Sequence, residues 1–145
     1  MSGYSRKSLI AYEGQIGEAI ARNYLKKQGF IIHSYMMLVD FIGRPCPGQS
    51  FAEDFLGSKR QNFIELNKAC DKIYSGKEHR RRRFDLVAKK EDKYYIVEVK
   101  TNKAQLNKWQ REALQLSKKF GFIPMLVRTK VTLIADYKDV IVKTL

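Results

Sequence analysis

Asp85, Glu98 and Lys100 are the residues of this chain whose types and spacing best suit chemistry. They lie in the stretch FDLVAKKEDKYYIVEVKT at 84–101. Two runs of β-branched and aromatic residues flank the polar pair Glu91-Asp92, which is the pattern of a β-hairpin. A symmetric hairpin turning on 91/92 sets Asp85 opposite Glu98, and facing residues share one side of the sheet. Strand alternation adds Lys100 to that side. Two facing carboxylates repel. A divalent cation between them removes that cost and uses both as hard oxygen ligands. The turn lacks the Asn-Gly signal that fixes a register, so the pairing rests on symmetry alone. The same groups also suit an ordinary surface ion network, with Lys100 or the arginines just upstream as partners.

Composition narrows the setting for these groups. The chain has 145 residues, enough for one domain with a real core. Its hydrophobic share of 44% argues against global disorder. A formal net charge of +13 favours an anionic partner, most simply nucleic acid. Cys46 and Cys70 have no zinc-type spacing, so they are expected as free thiols in a reducing compartment. No apolar run reaches membrane-spanning length and the start has no signal-peptide core. A cytoplasmic protein without membrane association is the expectation.

The elements that must position the hairpin follow from periodicity. Residues 5–28 suit a helix ending at Gly29, with an apolar stripe of Leu9, Tyr12, Ile16, Ile20 and Tyr24. A second face carries Gly14, Glu18, Ala21 and Leu25. With Gly14, Gly17 and Ala21 around it, Glu18 is where another backbone could come close; an exposed glutamate is the ordinary alternative. Residues 30–35 suit a strand, and the Pro- and Gly-rich 40–49 a loop. His33 has no second ligand at metal spacing, which favours a core or surface role. A long helix is expected over 50–75, capped by Ser50 with Glu53, although Gly57 weakens its middle. Arg80, Arg81, Arg82 and Arg83 enter the first hairpin strand and suit phosphate contacts, as does Lys103 beyond the second; a solvated charge run is the alternative. Residues 104–120 suit a helix with the stripe Leu106, Trp109, Ala113, Leu116 and Phe120, Gln110 flanking it, and Gly121 as its stop. Strands are expected at 123–127, 131–135 and 140–143. The result is an α/β domain, a mixed sheet flanked by helices.

Asp85, a gap of twelve residues, then Glu98-Val99-Lys100 resembles the motif of the PD-(D/E)XK nuclease superfamily. Gly14-x-x-x-Glu18 followed by Gly29-Phe30 is similar in layout to archaeal Holliday junction resolvases. Gln110-x-x-x-Leu114 resembles the glutamine motif of RecB-like members. The resemblance covers roughly 8–35 and 84–130 of a single domain spanning 1–145. Phe84 stands where the motif has proline, and 36–80 forms an insertion longer than in compact resolvases.

The resemblance implies a restriction-endonuclease-like fold with an inserted helix at about 50–75. It implies Mg²⁺ or Mn²⁺ held by Glu18, Asp85, Glu98 and the Val99 carbonyl, with a metal-held water as nucleophile. Lys100 would orient or deprotonate that water, or stabilise charge on the phosphate, and Gln110 would position Lys100 or the phosphate. The activity implied is hydrolysis of DNA phosphodiesters in recombination, repair or defence, with Holliday junctions or other branched DNA as substrate. A homodimer is the assembly it implies, with the 50–75 helix and its phenylalanines either supplying the interface or merely covering the sheet. A non-catalytic nucleic-acid-binding module on the same fold and an RNA endonuclease are the competing functions.

Overall fold

The structure is a computed structural model that describes residues 6–43, 51–74 and 84–132. It is an α/β unit with a four-stranded mixed sheet between helices. The strands run β1 (Ile31–Ser34), β2 (Leu86–Lys90), β3 (Lys93–Thr101) and β4 (Ile123–Thr129), side by side in that order. The first two pairings are antiparallel and the last is parallel. Helix α1 (Arg6–Lys27) precedes β1; α2 (Tyr35–Phe41), α3 (Phe51–Leu56) and α4 (Arg60–Tyr74) follow it; α5 (Lys108–Lys119) joins β3 to β4. The parallel β3–β4 pair needs such a crossover, because a tight turn can only reverse a chain.

The hairpin has the symmetric register. Leu86 faces Val97 and Lys90 faces Lys93, so one residue further out Asp85 stands opposite Glu98. The reversal is a two-residue turn, with Glu91 at φ +57°. A glutamate pays a steric penalty there that glycine does not. Glu91→Gly is therefore expected to stabilise the chain by about 1 kcal/mol, read as a higher urea midpoint at unchanged slope.

Alternation along the strands divides the core in two. Leu86, Ala88 and Val97 pack with Leu25 of α1 and with Ile32 on one face. Val87, Tyr94 and Ile96 meet residues of α2 to α5 on the other. Phe84, in the place of the motif's proline, is a core residue. It is buried, with its ring 5.0 Å from that of Tyr35.

The apolar stripe Leu9, Tyr12, Ile16, Ile20 and Tyr24 is exposed. Among the described side chains of α1, Gly17, Ala21 and Leu25 are buried. Small side chains let the helix axis approach the strands, which keeps the bulky stripe on its flank. The long helix over 50–75 is broken into α3 and α4 by a short 3-10 turn, Gly57–Lys59, in which Gly57 takes φ +50°. Its phenylalanines face inward: Phe55 and Phe63 are buried and Phe51 packs against the same cluster. They are therefore committed to the core, not to a dimer interface. The strand at 30–35 gives way at Tyr35 to α2, whose first turn is capped by the Ser34 hydroxyl. Ser50, Cys46, the arginines 80–83 and most of the last two expected strands lie outside the described residues; Val131 and Thr132 follow β4 as coil. Cys70 is buried and in no disulfide among the described residues.

Candidate active site

Three carboxylates reach one concavity of about 460 Å³ from two distant parts of the chain. Asp85 comes from the entrance to β2, Glu98 from β3 and Glu18 from α1. Val99, Lys100 and Gln110 line the same space. All of the candidate catalytic and metal-binding residues are thus brought together.

Glu98 is only 4% exposed, and its burial is compensated by hydrogen bonding. The Asp85 amide donates to Glu98 Oε1 at 3.1 Å. The Val99 amide donates to Asp85 Oδ2 at 2.7 Å. Each carboxylate therefore accepts from the strand that carries the other, which locks the open end of the hairpin. Beyond Leu86 the ladder is replaced by these side-chain bonds, and the strands are held by the very groups that face the concavity. Lys100 makes no ion pair among the described residues. The simple surface network of Lys100 with Asp85 and Glu98 is therefore not what holds them.

Glu18 is placed by packing. Gly17, its neighbour, lies against the hydroxyls of Thr101 and Thr129, which are 3.0 Å apart at the ends of β3 and β4. That contact seats α1 on the sheet and turns the next residue toward the hairpin. Gly14 has open space instead of a close neighbour, so the close approach expected around Glu18 is made at Gly17. Glu18 Oε1 accepts from Arg22 Nη2 at 3.2 Å, one helical turn away.

Gln110 lines the concavity and also caps its own helix. Its Oε1 accepts from the Asn107 amide at 3.0 Å, while Asn107 Oδ1 accepts from the Gln110 amide at 2.8 Å. This reciprocal capping box starts α5. The glutamine thus anchors the helix that borders the concavity, and its remaining capacity is chiefly as a donor through Nε2.

No protein family, curated protein or solved structure matches the chain. The chemistry must be argued from the donor set itself. Carboxylates and a backbone carbonyl are the hard oxygen ligands that Mg²⁺ and Mn²⁺ accept. Glu18, Asp85, Glu98 and Val99 fit such an ion by type. They do not form a compact ligand cluster: among the described residues no group of three His, Cys, Asp or Glu is close enough to hold a metal. A cation would compete with Arg22 for Glu18.

Glu13 is a fourth carboxylate in the concavity that sequence reasoning missed. Its Oε2 accepts from Asn102 Nδ2 at 2.9 Å. It is the other acidic residue of α1, but five positions from Glu18 it falls outside any common three-four stripe. Only the wrap of α1 over the end of β3 brings it in.

His33 stands apart from this site. Its ring packs 4.6 Å from that of Phe55 and 5.4 Å from that of Phe51. Burial, then the nearby Arg22 charge, lowers its pKa from 6.5. The unfolded chain then binds a proton before the folded one does. Stability is fully present above pH 6.5 and falls as pH drops from there toward the folded pKa. His33→Gln is expected to flatten that part of the profile, measured by urea unfolding at a series of pH values.

No helix of the described residues is long and apolar enough to cross a membrane.

Proposed function

We propose that this chain is a metal-dependent endonuclease that hydrolyses DNA phosphodiester bonds, with branched or otherwise structured DNA as its substrate class. The observation that carries the reading is the meeting of Glu18, Asp85, Glu98 and Lys100 in one concavity on a chain of net charge +13. A module that only bound nucleic acid would gain nothing from carboxylates facing phosphate.

Mg²⁺ or Mn²⁺, when bound, supplies the positive charge that lets a phosphate enter an acidic pocket and activates water for attack. Glu18, Asp85, Glu98 and the Val99 carbonyl are the groups that would hold it. Lys100 contributes an ammonium among these carboxylates, suited to the phosphate oxygen that gains charge as the phosphorus–oxygen bond breaks. Gln110 suits donation from Nε2 to a non-bridging oxygen, since its Oε1 is committed to the cap. Asp85 and Glu98 are pre-set by backbone amides, so their placement costs little at the moment of reaction.

Paired cleavage of a four-way junction needs two such centres. The apolar flank of α1, not the phenylalanines of α3 and α4, is the surface that could join two copies. A monomer at micromolar concentration by sedimentation removes paired cutting while leaving the nuclease intact.

The deciding experiment is a cleavage panel with Mg²⁺, with and without EDTA. It covers linear, nicked, flapped, single-stranded and four-way junction DNA, with matched RNA strands. Metal-dependent cutting of DNA is expected, with branched substrates preferred. Cutting of RNA alone would make this an RNA endonuclease. Binding without cutting of any substrate would leave a non-catalytic module.

A further inference from the structure

Beside the acidic concavity lies a second groove with the opposite chemistry. It runs between the loop after β3 and the end of β4, and Asn102, Lys103, Arg128, Lys130 and Thr132 line it. Among the described residues no acidic side chain borders it. Lys103 and Lys130 are exposed and make no ion pair among the described residues. Arg128 serves as a strut instead, donating to the Ala104 carbonyl at 3.0 Å and to Gln105 Oε1 at 2.9 Å.

The two depressions are mechanically one. Thr101 lines the acidic concavity and Thr129 the groove, and their hydroxyls are hydrogen-bonded. Asn102, held at φ +57°, ties them further. Its amide donates to the Thr129 carbonyl at 2.8 Å, its Oδ1 accepts from the Val131 amide at 2.8 Å, and its Nδ2 donates to Glu13 in the concavity. A residue in that backbone region persists when its surroundings over-determine it, as three bonds do here. The groove floor is therefore tied by hydrogen bonds to the end of the strand that carries Glu98 and Lys100.

We infer that this groove carries the sugar–phosphate backbone of the nucleic-acid strand whose scissile bond enters the acidic concavity, with Lys103 and Lys130 as its phosphate contacts. The inference rests on the nuclease reading for the strand's destination. Its own argument is electrostatic. Four carboxylates in the concavity repel a polyanion, and fixed cations compensate only within about a Debye length, roughly 8–10 Å at physiological salt. Lys103 is two residues beyond Thr101 in the wall of the concavity, and Lys130 directly follows Thr129. The groove also carries the Thr132 hydroxyl, a group that contacts phosphates without reading sequence.

Binding of a fluorescein-labelled single strand and of a labelled four-way junction, followed by anisotropy in EDTA over a salt series, tests this in the full chain. The variant is Lys103→Ala with Lys130→Ala, and the control is Lys118→Ala with Lys119→Ala, which removes equal charge from the end of α5. The groove variant should bind more weakly. Its slope of log K against log salt should shrink by about 1.4 for the single strand and about 1.8 for duplex arms, two phosphate contacts' worth. The control should change the slope less. Equal changes in both variants, or none in the groove variant, overturn the inference. Because no cleavage is read, a chain that cuts DNA but keeps its slope sinks the groove alone. One that loses the slope but never cuts sinks the nuclease alone.

Discussion

Asp85→Asn should lower Mg²⁺-dependent cleavage by at least about 10³-fold while leaving the thermal midpoint within a few degrees of the parent. Asparagine is the informative replacement because of what Asp85 does structurally. One oxygen accepts from the Val99 amide at 2.7 Å, and the asparagine carbonyl can take over that bond. Alanine would instead leave a partly buried amide unpaired, at a cost of about 1–3 kcal/mol, and would confuse lost chemistry with lost structure. What asparagine cannot supply is the negative charge that a divalent cation requires. Lys100→Ala should fall almost as far, about 10²-fold or more, since it removes the positive charge meant for the developing oxyanion. Lys100 makes no ion pair among the described residues, so its removal strands no partner carboxylate. The measurements are initial cleavage rates on the preferred DNA and thermal unfolding of the same preparations. Full cleavage by either variant refutes the proposed mechanism.

The hairpin was legible in the sequence because its information is local. Two β-rich arms around a polar pair leave one symmetric register, and the pairing of Leu86 with Val97 follows it. Gly29 and Gly121, at φ +93° and +83°, end their helices where the apolar patterns stop. The small-residue face of α1 was legible as a place of close approach, but which side the bulky residues take was not, for the opposite reason. Hydrophobicity ranks Ile16 and Ile20 as core, but what decides which side of a helix meets a sheet is how closely the two can pack. Gly17 and Ala21 win by being small, and the bulky side chains are left on the flank. The capping role of Gln110 was not legible because a capping box depends on where the helix begins, and the pattern at 104–120 starts it before Asn107. The continuity of 50–75 failed at the glycine that the sequence already marked as weak, Gly57. Each miss is thus a tertiary or end effect overriding a sound local pattern.

Gly17→Ala should damage both stability and cleavage through a single added methyl group. A Cβ built on Gly17 overlaps the Thr101 Oγ1 and stands 2.5 Å from the Thr129 Oγ1 and 3.0 Å from the Thr101 Cβ. These atoms belong to adjacent strands joined by their own hydrogen bond, so neither can turn aside without breaking it. Overpacking of this kind costs about 1–3 kcal/mol, while the better helix propensity of alanine returns up to about 1 kcal/mol. A net loss of about 1–2 kcal/mol is expected, visible as a lower urea midpoint. The functional loss should be larger than the stability loss. Relief comes most easily by lifting α1 from the sheet, and Glu18, the next residue, moves with it. A displacement near 1 Å of a group that must meet Asp85 and Glu98 costs about 10²-fold in rate even when the fold survives. Gly14→Ala, on the same helix with nothing near its added methyl, should change stability little and in the favourable direction. Truncating both Thr101 and Thr129 to alanine should restore part of the stability and cleavage to Gly17→Ala, because the overlapping oxygens are then gone. If Gly17→Ala cleaves at the parent rate, Glu18 does not owe its place to this contact, and the assembly of the site from α1 and the hairpin is wrong.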